Sequence, residues 1–181
     1  QLRLRCGELR MTRAILDCRH GELRPQSGAA LPLEFTYRYA LRQLELRFKN
    51  ADITAVSALL PELAAYLPSG RLDARIQVDA ERIELSLQLQ QLAFASADGK
   101  LAGEKIEASL VASAERRDAS WNWRASLTWP GGESGEAYWA PLYRAGGARL
   151  TAGGKLTPEA LTVSEATLVL DGIGSASGSL Q

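Results

Sequence analysis

Histidine and cysteine are scarce in this sequence of 181 residues, which contains one histidine, His20, and two cysteines, Cys6 and Cys18. A single histidine leaves little scope for the commonest general base, and the sequence signatures of a nucleophile elbow, a Walker loop and a zinc-protease helix are absent. His20 lies beside Gly21 and is interpreted as a solvated turn residue. The sequence therefore predicts a protein that is not an enzyme and that uses no cofactor and no metal.

Net charge and long apolar runs are also lacking. Lysine plus arginine and aspartate plus glutamate number 21 each, so no long-range field attracts nucleic acid, and we expect no nucleic-acid partner. The most apolar stretch, 53–67, contains Pro61 and Glu62 and is shorter than the ~20 residues of a membrane-spanning helix. The residues from Gln1 onward are strand-like and lack the basic, apolar and small-residue pattern of a secretory leader. We expect a single domain, 1–181, that is a fragment of a larger protein whose signal or anchor lies elsewhere.

Apolar and polar residues alternate along most of the chain, which is the pattern of β-strands with one apolar and one polar face. The pattern is clearest over 83–89, where leucine alternates with serine and glutamine. Turn signals, such as Asp98-Gly99, separate the runs. The sequence predicts a mostly β fold, an antiparallel meander of about a dozen strands forming a curved open sheet, or repeating β-groove. A closed β-sandwich is the alternative.

One segment, 52–67, has helical spacing of apolar residues behind Asp52, a good N-cap. We expect a short helix that Pro61 kinks or splits. It divides the domain into N-terminal hairpins with the cysteine pair, over 1–50, and a β meander over 71–181.

The two cysteines lie on short alternating runs that could pair as a hairpin. A disulfide between Cys6 and Cys18 is plausible there and would require an oxidising compartment. Two buried free thiols are an alternative. A metal site with His20 is a third, weaker one, because three soft ligands are fewer than the four of a closed zinc site.

Four tryptophans are concentrated in one region, at 121, 123, 129 and 139. Rings of this size anchor either a core or a surface that meets something apolar. We interpret them first as core residues.

Three patches resemble a known family. The segments Asp52 to Pro61 and Leu67 to Asp73 resemble the helix-to-strand passage of the AsmA-like superfamily. Gly135 to Pro141, and Cys6 to Cys18 followed by Arg19-His20-Gly21-Glu22-Leu23, resemble its YdbH-like branch, which some descriptions connect instead with dicarboxylate transport. No converging cations or membrane helices in the sequence support a dicarboxylate carrier.

The resemblance implies a periplasmic protein tethered to the inner membrane by a segment outside this sequence, with an apolar groove that carries phospholipid between inner and outer membrane. It also implies a partner, a small outer-membrane lipoprotein that adds a strand. The rival hypothesis is a non-catalytic β-sandwich binding or assembly module of the envelope. In a groove, phospholipid acyl chains would contact the apolar faces of the central strands, and the expected lining residues are Leu72, Ile76, Val78, Ile83, Leu85, Leu87, Leu89, Ile106 and Leu110.

The last run, 174–180, is small, uncharged and free of proline. Such a strand is poorly protected against pairing with another chain. We therefore expect the chain to self-associate through this edge.

Overall fold

The computed structural model describes residues 2–25, 29–57, 61–139 and 143–180, which form one antiparallel sheet of fourteen strands. The strands are Arg3–Arg5 (β1), Glu8–Met11 (β2), Ile15–Arg24 (β3), Leu31–Arg38 (β4), Gln43–Asp52 (β5), Ser69–Val78 (β6), Arg82–Ala95 (β7), Leu101–Arg117 (β8), Ser120–Trp129 (β9), Glu136–Trp139 (β10), Tyr143–Ala145 (β11), Ala148–Leu156 (β12), Leu161–Leu170 (β13) and Gly174–Leu180 (β14). The sheet is curved, open and not closed into a barrel, so the predicted meander is confirmed.

The strand order is that of a plain meander once three positions in the sheet are recognised as interrupted strands. β1 and β2 lie end to end along β3, and β9 and β10 lie end to end along β8. β11 and β12 pair with β10 and β9 in the same way. At the break between β9 and β10, Gly131 lies against Gly146. A Cβ at Gly131 would overlap the carbonyl oxygen of Gly146, which explains why only glycine fits there.

Two short helices connect β5 to β6, namely α1 (Ile53–Ser57) and α2 (Pro61–Ala64). Asp52 caps α1, because its Oδ1 accepts hydrogen bonds from the Thr54 backbone N–H at 2.9 Å and the Thr54 hydroxyl at 2.7 Å. Pro61 begins α2, where the missing N–H of proline costs no helical hydrogen bond. The helical character expected over 52–67 is confirmed for these two segments, and the expected kink or split before Pro61 lies at residues 58–60, outside the described residues.

The core consists of two small clusters at one end of the apolar face. In the first, α1 covers the sheet and buries Ile53 and Ala55 with Leu31, Ala51 and Leu72. The second surrounds the interrupted strands and contains Ile106, Ala108, Trp129, Ala145 and Ala148. Leu89 and Leu92 pack against both clusters, so the covered end is continuous.

His20 lies inside β3 rather than in a turn, which corrects the sequence interpretation. The register between β3 and β4 shifts between Cys18 and Gly21, and His20 occupies this bulge with a φ of 52°. A bulge places an extra residue on one strand and leaves it unpaired. His20 is exposed there, as expected.

A candidate apolar binding face

The strand register places apolar side chains opposite one another in rows that run across the sheet. One row, which we name the leucine ridge, crosses β7, β8, β9, β12 and β13 and consists of Leu87, Leu110, Leu127, Leu150 and Leu168. Because neighbouring strands are about 4.8 Å apart, the ridge is about 19 Å long. It is a continuous apolar wall at right angles to the strands.

A row of small residues runs beside the ridge. This alanine row consists of Ala112, Ala125, Ala152 and Ala166 on β8, β9, β12 and β13. Since alanine is much shorter than leucine, the row forms the floor of a furrow. Leu85 stands opposite Ala112 and ends the furrow at β7. At the other end Gly178 stands opposite Ala166, so the furrow is open toward β14.

No second layer covers this part of the face within the described residues. Extensive contacts between strands are limited to pairs that are neighbours in the sheet, and α1 contacts β5 and β6. The ridge leucines at positions 87, 110, 127 and 168 are half-buried by their own neighbours, and Leu150 is 38% exposed. The closed β-sandwich kept as the alternative fold is therefore wrong for the described chain.

All nine residues expected to line a groove lie on this face, but they differ in burial. Seven are half-buried, namely Ile76, Val78, Ile83, Leu85, Leu87, Leu89 and Leu110. Leu72 is only 6% exposed beneath α1, and Ile106 is only 5% exposed in the second cluster. Leu89 packs against both clusters, so the open face comprises the other six half-buried residues and not Leu72 or Ile106.

Sequence reasoning missed the C-terminal half of the face. Leu127, Leu150, Leu168 and the alanine row are as well placed as the expected residues, but each lies in a short run whose pairing partner is undefined until the register is known. The alternation was visible, and the signal that could have found them is the recurrence of leucine two residues from alanine in each run.

The tryptophans occupy two environments. Trp129 is buried, and its Nε1 donates a hydrogen bond to the carbonyl oxygen of Ser134 at 3.0 Å, which is the core role expected. Trp123 lies on the apolar face opposite Ala114 and Gly154, so its ring flanks the far side of the alanine row. The side chain of Trp139 lies outside the described residues.

The cysteines form the disulfide considered from the sequence. The Cα atoms of Cys6 and Cys18 are 5.8 Å apart and their sulfurs are bonded. Cys18 is fully buried on β3, whereas Cys6 lies between β1 and β2. The bond therefore ties the exposed first position of the sheet to its second strand, and it is compatible with an oxidising compartment.

The opposite face is polar and carries clefts with defined volume. One, of about 680 Å³, is lined mainly by polar residues such as Arg71, Gln88 and Glu107, and another of about 410 Å³ lies around Glu45. Among the described residues, no group of three or more His, Cys, Asp or Glu could hold a metal ion. No helix within the described ranges is both long and apolar enough to cross a membrane.

No protein-family model, curated protein or solved structure matches this chain. The two faces of the sheet are therefore the basis for assigning a function.

Proposed function

We propose that the apolar face binds the acyl chains of phospholipids, in a protein of the bacterial envelope that carries lipid between the inner and outer membranes. The observation that supports this is the leucine ridge beside the alanine row, which crosses five strands and which no other described element covers. An uncovered apolar surface of this extent is uncommon on a monomeric soluble protein and is typical of a binding surface.

The shape of the furrow suits an extended hydrocarbon chain. The furrow runs across the strands, and a flexible chain lying in it contacts leucine on one side and alanine beneath. Each methylene removed from water contributes about 0.8 kcal/mol when fully buried. Even partial burial of eight or ten methylenes therefore gives several kcal/mol without any polar contact, and such binding needs no catalytic residue.

The disulfide supports the compartment that we propose. An oxidising location is compatible with the Cys6–Cys18 bond, and for a lipid carrier of the envelope we propose the periplasm, with a tether to the inner membrane supplied by a segment outside this sequence. The exposed edge at β14 suits a small outer-membrane lipoprotein that adds a strand, since unpaired edges accept such partners.

Two substitutions on adjacent residues of β7 test the lipid proposal. Leu87 is on the leucine ridge, and Ser86 points to the opposite face, where it is exposed. Each protein is incubated with vesicles of dioleoyl phosphatidylglycerol, separated from them, and analysed by native mass spectrometry. We expect phospholipid adducts on the wild type and on Ser86→Glu, and at least a tenfold loss of adducts on Leu87→Glu.

Circular dichroism of both variants serves as the folding control, because a glutamate on the half-buried ridge also costs stability. Absence of adducts on the wild type, or equal adducts on two folded variants, would contradict the assignment of lipid to this face. The rival assembly function would leave the wild type free of lipid while retaining a protein partner.

A further inference from the structure

Three arginines surround one buried carboxylate on the polar face. The carboxylate oxygens of Glu45 on β5 contact a nitrogen of each arginine. Nη1 of Arg38, on β4, lies at 3.4 Å, Nη2 of Arg47, on β5, at 2.6 Å, and Nε of Arg75, on β6, at 2.8 Å. The Glu45 side chain is 3% exposed, whereas those of the arginines are 38%, 46% and 53% exposed. The carboxylate therefore holds the inner ends of three guanidinium groups that still face solvent.

The positive charge in this cluster is not balanced by its surroundings. Three guanidinium charges contact one carboxylate, which leaves an excess of two. The other carboxylates that line the same cleft have their own partners, because Asp17 pairs with Arg19 at 3.2 Å and Glu34 pairs with Lys49 at 2.9 Å. The cleft, about 410 Å³ in volume, is lined by Arg38 and Arg47 but not by Arg75, so its lining residues carry an excess of one positive charge.

Glu45 stays ionised in this setting. Its burial alone would raise the pKa of the carboxyl, but the hydrogen bond and charge of Arg47, with those of Arg75, outweigh burial and hold the pKa below its usual value. The ionised carboxylate therefore holds the three guanidinium groups in place. It neutralises only part of their total positive charge.

Hydrogen-bond donors remain in the cluster. A guanidinium group carries five N–H donors, and the contacts of Arg38 with Glu45 and with Gln43 at 3.1 Å both use Nη1. Arg47 uses Nε and Nη2 toward Glu45. The Nε and Nη2 groups of Arg38 and the Nη1 group of Arg47 are outside these contacts. Paired guanidinium donors in a fixed orientation match the oxygens of a phosphate group.

We infer that the cleft around Glu45 binds a phosphate group, with Arg38 and Arg47 as its ligands and Glu45 as the residue that positions them. The group is a phosphate mono- or diester, either free or as the head group of a lipid. This site lies on the face opposite the leucine ridge and does not depend on acyl-chain binding.

The main test uses Arg38→Gln, because the Arg38 contact with Glu45 is the longest of the three and Glu45 keeps Arg47 and Arg75 in this variant. Inorganic phosphate is titrated into the full chain at constant ionic strength, with amide chemical shifts as the readout. We expect saturable shifts in β4 and β5 of the wild type and at least fivefold weaker binding in Arg38→Gln.

The control variant is Arg82→Gln, which removes a more exposed arginine, at 54% against 38% for Arg38, that two carboxylates, Glu84 and Glu115, already contact. It should bind phosphate within twofold of the wild type. Arg38→Lys keeps the charge but loses the forked donors, so its affinity for phosphate should lie between those of the wild type and Arg38→Gln. Wild-type protein without saturable shifts, or equal weakening by Arg82→Gln, would overturn the inference.

A second arm identifies the source of the phosphate. The wild type and Arg38→Gln are mixed with vesicles of phosphatidylglycerol and, separately, with vesicles of phosphatidylcholine mixed with free glycerol phosphate. Arg38-dependent flotation with the phosphatidylglycerol vesicles assigns a lipid head group. Arg38-dependent binding of glycerol phosphate without flotation assigns a free phosphate ester. Flotation that Arg38→Gln leaves unchanged would contradict a head-group site here.

Discussion

The strands on the two sides of β8 use the same alternating pattern for different purposes. On β5 and β6, apolar residues such as Ala51 and Leu72 lie beneath α1 and are buried. On β12 and β13, Leu150 and Leu168 continue the rows of the same face, no helix of the described ranges lies above them, and every residue of β14 is exposed. An apolar face becomes a core where a cover exists and a binding surface where it does not, and the strand sequence alone does not distinguish the two.

The largest difference between the regions should appear on truncating one leucine in each. Leu72→Ala leaves a cavity in the covered cluster and should lower the free energy of unfolding by about 4 kcal/mol, because the lost burial and the cavity both count. Leu168→Ala removes a half-buried side chain from the open region and should cost about 1 kcal/mol. Urea denaturation measures both, and equal losses would mean that the two regions are packed alike.

The disulfide should give the next largest effect, and again in the N-terminal region. Reduction of the Cys6–Cys18 bond, which spans 12 residues, should lower the free energy of unfolding by about 3 kcal/mol. The double variant Cys6→Ala with Cys18→Ala is the control, because its stability should not respond to reductant. Unreduced, unfolded protein should contain essentially no titratable thiol, and two reactive thiols would show that the bond does not form.

The cap of α1 should contribute less, and in a way that depends on pH. The hydrogen bonds from the Thr54 hydroxyl and then from the Thr54 backbone N–H lower the pKa of Asp52. A lowered folded pKa contributes stability above the unfolded value, about 3.9, and that stability is lost as pH falls through the folded value. Asp52→Ala should cost about 1 kcal/mol at pH 7.

The Asp52→Ala difference should shrink on titration below about pH 4, the ordinary range of an aspartate. Asp52→Asn keeps a capping oxygen without its charge, so it should retain most of the stability and show no such pH dependence. Thermal unfolding of the three proteins across this range measures the effect. A difference that does not vary with pH would mean that the cap acts without its charge.

The smallest effect on stability should come from β14, whose removal should instead change association. Among the described residues the strand pairs only with β13, and it has no charge along Gly174–Leu180, so its outer edge is open to a second chain. We expect light scattering to detect self-association at high concentration. Deletion of the residues after Asp171 should abolish it, and a monomer at high concentration, or a dimer that survives the deletion, would contradict the edge prediction.

Much of the fold could be predicted from the sequence, because period-two alternation is a local property and the turns are short. The run from Ile83 to Leu89 identified both the strand and its apolar side, and Pro61 marked the residue at which α2 begins. The interrupted strands were harder to predict. Trp129 on β9 and Tyr138 on β10 belong to separate sequence runs, yet both strands pair with the same neighbour, β8.

The candidate site was harder to predict from the sequence, for a related reason. Whether Leu72 is covered depends on where α1 lies, and the leucine ridge depends on the register of five strands. The arginine cluster was hidden because Arg38, Arg47 and Arg75 come from three separate runs, and their convergence on Glu45 is a property of pairing rather than of spacing. Long-range register is what single-sequence alternation does not encode.

Because the furrow is open at β14, this edge strand determines whether the furrow can continue onto another chain. Gly178 leaves the alanine row without a wall at β14, so whichever strand pairs there will place one of its own residues in line with Ala166. A glycine or alanine at that position would lengthen the passage by another strand width, whereas a leucine or tryptophan would shut it. The size of one side chain on a neighbouring chain would thus decide whether the furrow continues across the paired strands or is blocked there.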